Sequence, residues 1–207
     1  MSRHTMNETA RNPDQTRESI LLAAFEEIYQ QGFRKASIDN ILRRTGMTKG
    51  ALYHHFPNKM ALGYAVVDEI IVPHGQSRWQ RLQQEDLNPI DTLLEIGEES
   101  AFPIERDVSL GCPINNLAQE MSGLDEGFRQ RLNGFLDRWR NVIENALRRG
   151  QRNGQVRTDI KPHEVAAFMV AAFEGAYGLA KCAGCQDVLD TCLDGLNSYV
   201  NSLRAAS

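Results

Sequence analysis

The chain has 207 residues, 42% of them apolar and 24% charged, and carries a formal net charge of −4. That length buries a sizeable core in one domain or two; no apolar run approaches the roughly 18–20 residues that span a bilayer, so no membrane partner is expected. The N-terminal stretch MSRHTMNETARNPDQ lacks the apolar centre of a signal peptide, and four cysteines do not make a disulfide framework, so the expected compartment is the reducing cytoplasm.

Residues 1–13 are polar and aperiodic and read as a flexible tail, with Arg3 and Arg11 as its basic groups. A first helix is expected from Asp14 to before Gly32. Its Leu21, Ala24, Phe25 and Ile28 recur at i, i+3, i+4 and i+7 as one buried face. The stretch SIDNILRRTGMTKGALYHHFPNK over 37–59 follows. Ser37 is placed to cap a short helix whose Ile38, Ile41 and Leu42 share a face, and Gly46 ends it. Thr48 is placed to cap a second helix running to Phe56, where Pro57 stops it. Two short helices joined by a glycine-containing turn form the unit that seats one helix in the DNA major groove.

From Asn58 the pattern resumes with Leu62, Val66 and Ile70 until Pro73, which is expected to kink or end the helix. Pro89 and Pro103 bracket a helix over about 90–102, and Gly111 with Pro113 opens another to about Met121. The longest stripe, Phe128, Leu132, Phe135, Leu136, Trp139, Ile143, Ala146 and Leu147, predicts a helix closed by Gly150 and Gly154. Two more are expected, about 162–181 with Pro162 at its first position and about 186–204. No β-alternation or repeat breaks the pattern. The predicted fold is all-α, with a three-helix helix-turn-helix domain over 14–60 and a helical-bundle regulatory and dimerisation domain over 61–207.

On a 100° wheel, Leu52 and Phe56 face the module's own core while Lys49, Gly50, Tyr53 and His54 fill the opposite arc. Gly50 costs roughly 1 kcal/mol against Ala in a helix but lowers the profile of that face. Lys49 is suited to a guanine edge and Tyr53 to a phosphate. Ser37 and Thr48, at helix starts, add hydroxyls and backbone N–H groups that favour phosphate oxygens. Lys59 opens the next helix on the same side as a second phosphate contact.

The charge split agrees with this. Residues 1–60 hold 9 Lys and Arg against 6 Asp and Glu, and residues 61–207 hold 14 against 21. A basic end on an acidic protein points to a polyanion met by the first part alone.

The run from Phe33 to Leu62, above all T-K-G-x-L-Y-x-x-F-x-x-K, closely resembles the DNA-binding domain of the TetR (tetracycline repressor) family of bacterial transcriptional regulators. The resemblance covers about residues 14–62. It implies an all-helical homodimer on double-stranded DNA with a palindromic operator, and a C-terminal domain whose small-molecule effector releases the DNA; repression is the family's common mode. Matched position by position, it implies DNA contacts at Ser37, Thr48, Lys49, Gly50, Ala51, Tyr53, His54 and Lys59, with His55 nearer the buried side. Ala51 departs from the Thr or Ser often found there, which removes one hydroxyl contact.

In the second half, Ala166, Ala167, Ala171, Ala172, Gly175, Ala176 and Gly178 let neighbouring helices approach closely. The last helix carries a broad apolar stripe through Leu189, Cys192, Leu193, Leu196, Val200 and Leu203. Such a pair suits a four-helix dimer interface, as the resemblance implies, or an intrachain core. The effector cavity is expected between the middle helices, among Phe102, Phe135, Phe168, Trp139, Phe173 and Tyr177, with Cys112 and Asn116 beside them; Glu98, Asn115 and Glu120 are further polar groups. Cys112 precedes Pro113 at a helix start, where N–H groups and the helix dipole favour a thiolate. A thiol sensor of electrophiles or oxidants is therefore an alternative reading. Cys182 and Cys185 form one CxxC without a second ligand pair and read as a turn, so no metal is expected. The chain has no phosphate loop, dinucleotide fingerprint, HExxH or G-x-S-x-G. Neither a cofactor nor enzymatic activity is expected, and an enzyme or a protein-recruiting adaptor remains the remote alternative.

Overall fold

The computed structural model describes residues 13–98 and 107–206; Phe102, Arg3 and Arg11 lie outside them, as does the side chain of Glu98. The described residues form helices joined by short turns, with one isolated antiparallel bridge, Val156 to Arg204. They divide into two compact units, Met1–Val66 and Val67–Ser207.

In the first unit, α1 (Pro13–Gln31) packs against α2 (Ile38–Thr45), α3 (Lys49–His55) and α4 (Lys59–Ala65). The apolar face read from the sequence, Leu21, Ala24, Phe25 and Ile28 of α1, is buried, and with Ile20 it meets a core shared with Ile41, Leu52, Phe56 and Leu62. Gly46 ends α2 in the left-handed conformation at φ 68°, its N–H donating to the Leu42 carbonyl at 2.9 Å. A β-carbon there would carry a strain that glycine avoids. Phe56 lies just beyond α3, in extended backbone, and fills the core rather than the helix.

A π-helical segment, Val66–Ile71, all but its first residue in the second unit, leads into α5 (Val72–Trp79). Pro73 was expected to kink or end its helix. It sits instead in the first turn of α5, where a missing backbone donor costs nothing, and the helix runs on to Trp79. A 3₁₀ turn (Gln80–Gln83) precedes α6 (Pro89–Glu98), and another (Val108–Leu110) precedes α7 (Pro113–Met121). The remaining helices are α8 (Glu126–Arg152), α9 (Pro162–Ala183) and α10 (Gln186–Asn201). The 27-residue α8 is the axis of this unit, packing on α5, α6, α7 and α9, while α9 also packs on α10. Asp125 caps α8 by accepting from the Phe128 N–H at 2.8 Å. Gly75 lets α5 lie against α8, because a β-carbon there would stand 2.5 Å from the Phe135 ring.

Two further expectations need correction. The last helix stops at Asn201, three residues early. The chain then turns, with Arg157 N–H donating to the Leu203 carbonyl and Ala205 N–H to that of Gln155, so backbone pairing replaces another helical turn. By length and composition the 22-residue α9, with a mean hydropathy of 1.3 over its most apolar window, is long and apolar enough to cross a membrane, which the sequence reading had excluded. That apolarity arises in a helix packed on two others, with Val165, Ala166, Met169, Val170 and Ala176 buried.

Candidate DNA-binding interface and interior cavity

The outward face of α3 is built by fixing α2 and α3 on α1. Glu27 of α1 is 2% exposed, and its Oε1 accepts from the Ser37 backbone N–H at 3.1 Å and from Asn40 Nδ2 at 2.8 Å. Ser37 Oγ in turn accepts from the Asn40 backbone N–H at 3.4 Å. At the other end of α2, Arg44 donates to Glu26 and to Gln30, both at 2.9 Å, and stands 3.7 Å from Glu27 Oε2. The short α2 is thus held at both ends by side chains of α1. A buried carboxylate is tolerated there because donors surround it.

Thr48 caps α3 by accepting from the Ala51 N–H at 3.2 Å, and Phe56 N–H closes the helix on the Leu52 carbonyl at 2.9 Å. With Leu52 and Phe56 facing inward, Thr48, Lys49, Gly50, Tyr53 and His54 are exposed, Tyr53 at 44%. Ala51 and His55 are half-buried, the latter with its ring edge-on to His54 at 5.2 Å. A β-carbon on Gly50 would meet only Thr48 Oγ1, at an ordinary 3.8 Å, so the protein's own packing does not demand glycine. The Lys49 ammonium lies 3.2 Å from the Asp39 carboxylate, an exposed pair bridging α3 and α2.

Lys59 departs from its expected position. Its Nζ donates to the Arg34 carbonyl at 3.1 Å and lies 5.1 Å above the Phe33 ring, so the side chain folds onto the α1–α2 loop rather than reaching outward. Asn58, not singled out in the sequence, caps α4 by accepting from the Ala61 N–H at 2.8 Å.

In the second unit, five of the eight residues expected at the effector cavity come together. Cys112, Phe135, Trp139, Phe173 and Tyr177 line a largely apolar cavity of about 30 Å³. Gly75, Arg78, Trp79, Ile114 and Glu174 complete its wall. Trp79 stacks on Trp139 at 4.8 Å with the rings 5° from parallel, and Trp139 meets Phe173 edge-on at 5.3 Å. Arg78, Trp79, Trp139 and Phe173 also border an adjoining hollow of about 50 Å³ that reaches Leu193 and Asn197 of α10.

Of the other candidates, Phe102 is outside the described residues. Asn116 does not line the cavity: its Nδ2 donates to the Leu110 carbonyl and its Oδ1 accepts from Lys181, both at 2.7 Å, which fixes the turn before α7. Phe168 is 52% exposed against Tyr199, since it projects from the opposite side of α9. Cys112 does occupy the cap position of α7, but its thiol makes no cap bond; it turns inward and donates to Glu174 Oε1 at 3.5 Å. The helix N–H groups expected to favour its thiolate are therefore not its partners.

Glu174 is the residue that sequence reasoning missed. It is half-buried as a residue, yet its Oε2 is sealed from solvent and has no hydrogen-bond partner among the described residues. Burial pushes its carboxyl up to about 7, with the Cys112 thiol pulling slightly the other way. The signal was present: Val170, Glu174 and Tyr177 stand at i, i+4 and i+7, an acid inside an apolar stripe, as Glu27 is beside Ile20 and Ala24. No group of three or more His, Cys, Asp or Glu that could hold a metal occurs among the described residues.

Comparison with known proteins agrees with this architecture. The family model for bacterial regulatory proteins of the tetR family matches residues 20–66, and the tetracyclin repressor-like C-terminal domain matches residues 95–196. The transcriptional regulator AcuR of Cereibacter sphaeroides is 28% identical over 167 residues, covering 79% of this chain and 75% of its own length. The uncharacterized HTH-type transcriptional regulator in the lacX 3′ region of Lactococcus lactis is 32% identical over 132 residues, covering 63% of this chain and 67% of its own. A crystal structure of a regulatory protein TetR from Rhodobacter sphaeroides matches with a TM-score of 0.78 at 26% identity, over 89% of this chain and 98% of that one.

Proposed function

As this chain belongs to the TetR family of DNA-binding transcriptional regulators, we propose that it works as a homodimeric repressor of a palindromic operator, released by a small-molecule effector. The unit ending at Val66 meets DNA, in the cytoplasm, and the unit from Val67 senses and dimerises. The observation that carries this reading is the free outward face of α3, on which Lys49, Gly50, Tyr53 and His54 stand exposed while Leu52 and Phe56 hold the helix down. Lys49 reads a base edge, Tyr53 and Thr48 hold phosphate, and Gly50 and Ala51 keep the approach low. Lys59 acts mainly by holding the loop at Arg34, with its phosphate role secondary.

Dimerisation is supported by the outer side of α9. Ala167, Phe168, Ala171, Gly175, Gly178 and Leu179 are all exposed, and a β-carbon on Gly175 would touch nothing within 4 Å. Small residues flanked by Phe168 and Leu179, the latter 60% exposed, suit close packing of a second copy across a two-fold axis. The effector seat is the aromatic cavity of α5, α7, α8 and α9. The Cys112 geometry favours a reversible ligand over a thiol switch, because the residue is 7% exposed and its thiol lies beside a carboxyl.

Titration of DNA from upstream of its own gene, followed by fluorescence anisotropy, tests the reading. Saturable binding that depends on an intact palindrome is expected. Tyr53→Ala should weaken binding to all sequences alike, while Lys49→Ala should relax preference at one base pair. Equal losses for Lys49→Ala on operator and random DNA would refute its base-reading role.

A further inference from the structure

A groove on the second unit is lined by polar side chains that the fold leaves idle. It runs between α8 and the stretch made of α5 and the 3₁₀ turn after it, with room of about 620 Å³. One wall carries Gln76, Gln80 and Gln83 at i, i+4 and i+7, and the other carries Arg138, Asn141 and Asn145 at i, i+3 and i+7. All six are exposed, and none bonds another residue through its side chain among the described residues. The contrast within α8 is plain, since its Arg129, Arg131, Arg140 and Arg148 each hold a carboxylate. Asparagine is also a poor residue for the middle of a helix, where its amide competes for backbone partners. Asn141 and Asn145 give the fold nothing in return.

The composition of the groove narrows its occupant. No Asp or Glu lines it among the described residues, and Arg138 is its one charge, so it favours an anion over a cation. Each carboxamide presents two N–H donors and an acceptor oxygen, the complement of a hydroxyl, which donates and accepts at once. A guanidinium beside them takes a carboxylate in a two-bonded fork. The set therefore fits a carboxylate carried on a hydroxylated chain. Length agrees, because the row from Arg138 to Asn145 rises roughly 10 Å along the helix, the scale of a short sugar chain. The groove floor falls to the buried Trp79 and the half-buried Val142. Trp79 is held from behind, stacked on Trp139 at 4.8 Å and tilted against Phe135 at 4.9 Å. The C–H side of a polyol can rest on such a floor while its hydroxyls turn to the walls.

We propose that this groove binds a small polyhydroxylated carboxylate, a sugar acid, with its carboxylate on Arg138 and its hydroxyls on the asparagine and glutamine rows. Trp79 borders both the groove and the aromatic cavity, but the proposed polar contacts belong to the groove alone. The inference thus goes beyond the effector reading and does not rest on it.

Three six-carbon probes divide the chemistry by calorimetry on the full chain without DNA: D-gluconate, D-sorbitol and hexanoate. Gluconate joins a carboxylate to hydroxyls, sorbitol keeps only the hydroxyls, and hexanoate keeps only the carboxylate. Gluconate is expected to bind at least about tenfold tighter than either. Arg138→Gln should bring gluconate down to the level of sorbitol and leave sorbitol unchanged. Asn145→Leu should weaken gluconate and sorbitol together, by about tenfold. Both positions are exposed and unbonded, so both variants should fold as the wild type does. No binding of millimolar gluconate, hexanoate binding as tightly as gluconate, or a gluconate preference that survives Arg138→Gln overturns the proposal. The three probes on the wild type decide the matter even if a variant fails to fold. Operator release is measured separately: gluconate bound with DNA still held upholds the groove. Failure of gluconate while another compound releases DNA overturns the groove and spares the effector reading.

Discussion

Two buried glutamates have opposite energetics. Glu27 is satisfied by Ser37, Asn40 and the nearby Arg44, so removing it strands a half-buried amide and a backbone N–H. Glu27→Ala should therefore cost about 3 kcal/mol of stability in the first unit, with Glu27→Gln costing less, as read by chemical denaturation. Glu174 is a burden on the fold instead. Its folded carboxyl sits at about 7, above the ordinary carboxylate value, so the native state holds its proton more tightly than the unfolded chain. Its contribution is therefore most favourable below about pH 4.5, declines as pH rises through about 7, and is constant above that. Glu174→Gln should melt higher than wild type at pH 8 and close to it at pH 4.5, a difference worth a few kcal/mol in full. A gap that is the same at both pH values would contradict the assignment. Neither glutamate was singled out from the sequence, because helical periodicity marks a face as buried while the partners of an acid on that face come from elements distant in the chain.

At the scale of elements, most of the secondary structure was legible. Ser37, Gly46 and Thr48 punctuate α2 and α3 with local chemistry, and local chemistry is what a sequence displays. The long stripe of α8 was equally plain. The reading slipped at Pro73, which the π-helical segment just ahead of α5 leaves in a first turn, and at the end of α10, where residues 155–157 pair with residues 203–205 from far along the chain. The cavity was half legible for the same reason. The aromatic set of α8 and α9 could be listed, but Trp79 and Arg78 of α5 join it only through tertiary packing. Gly50 offers a test of α3 by itself. Nothing within the protein needs a bare Cα there, so Gly50→Ala should leave the melting temperature unchanged or slightly raised while operator affinity falls. A loss of both would mean that the glycine serves the fold.

For the molecule as a whole, the exposed side of α9 sets the expectation. Phe168→Glu or Leu179→Glu places a charge on an apolar surface that a second copy would desolvate, whereas in a monomer it merely adds a solvated acid. Sedimentation should show the wild type as a dimer and the variant as a folded monomer, with operator affinity reduced by at least about tenfold because only one half-site is then held. A variant that stays dimeric would move the interface elsewhere.

The pairing of Lys49 with Asp39 bears on how such a regulator searches a genome. In the proposed reading, the cation offered to the groove has a competing carboxylate 3.2 Å away on the neighbouring helix. Bulk DNA presents mainly phosphate, and the loosened acid opposes phosphate as soon as the lysine turns to it. A guanine edge repays the switch with two directed acceptors. On that proposal, Asp39→Ala should raise affinity for random DNA more than for the operator, as read by anisotropy titrations on both.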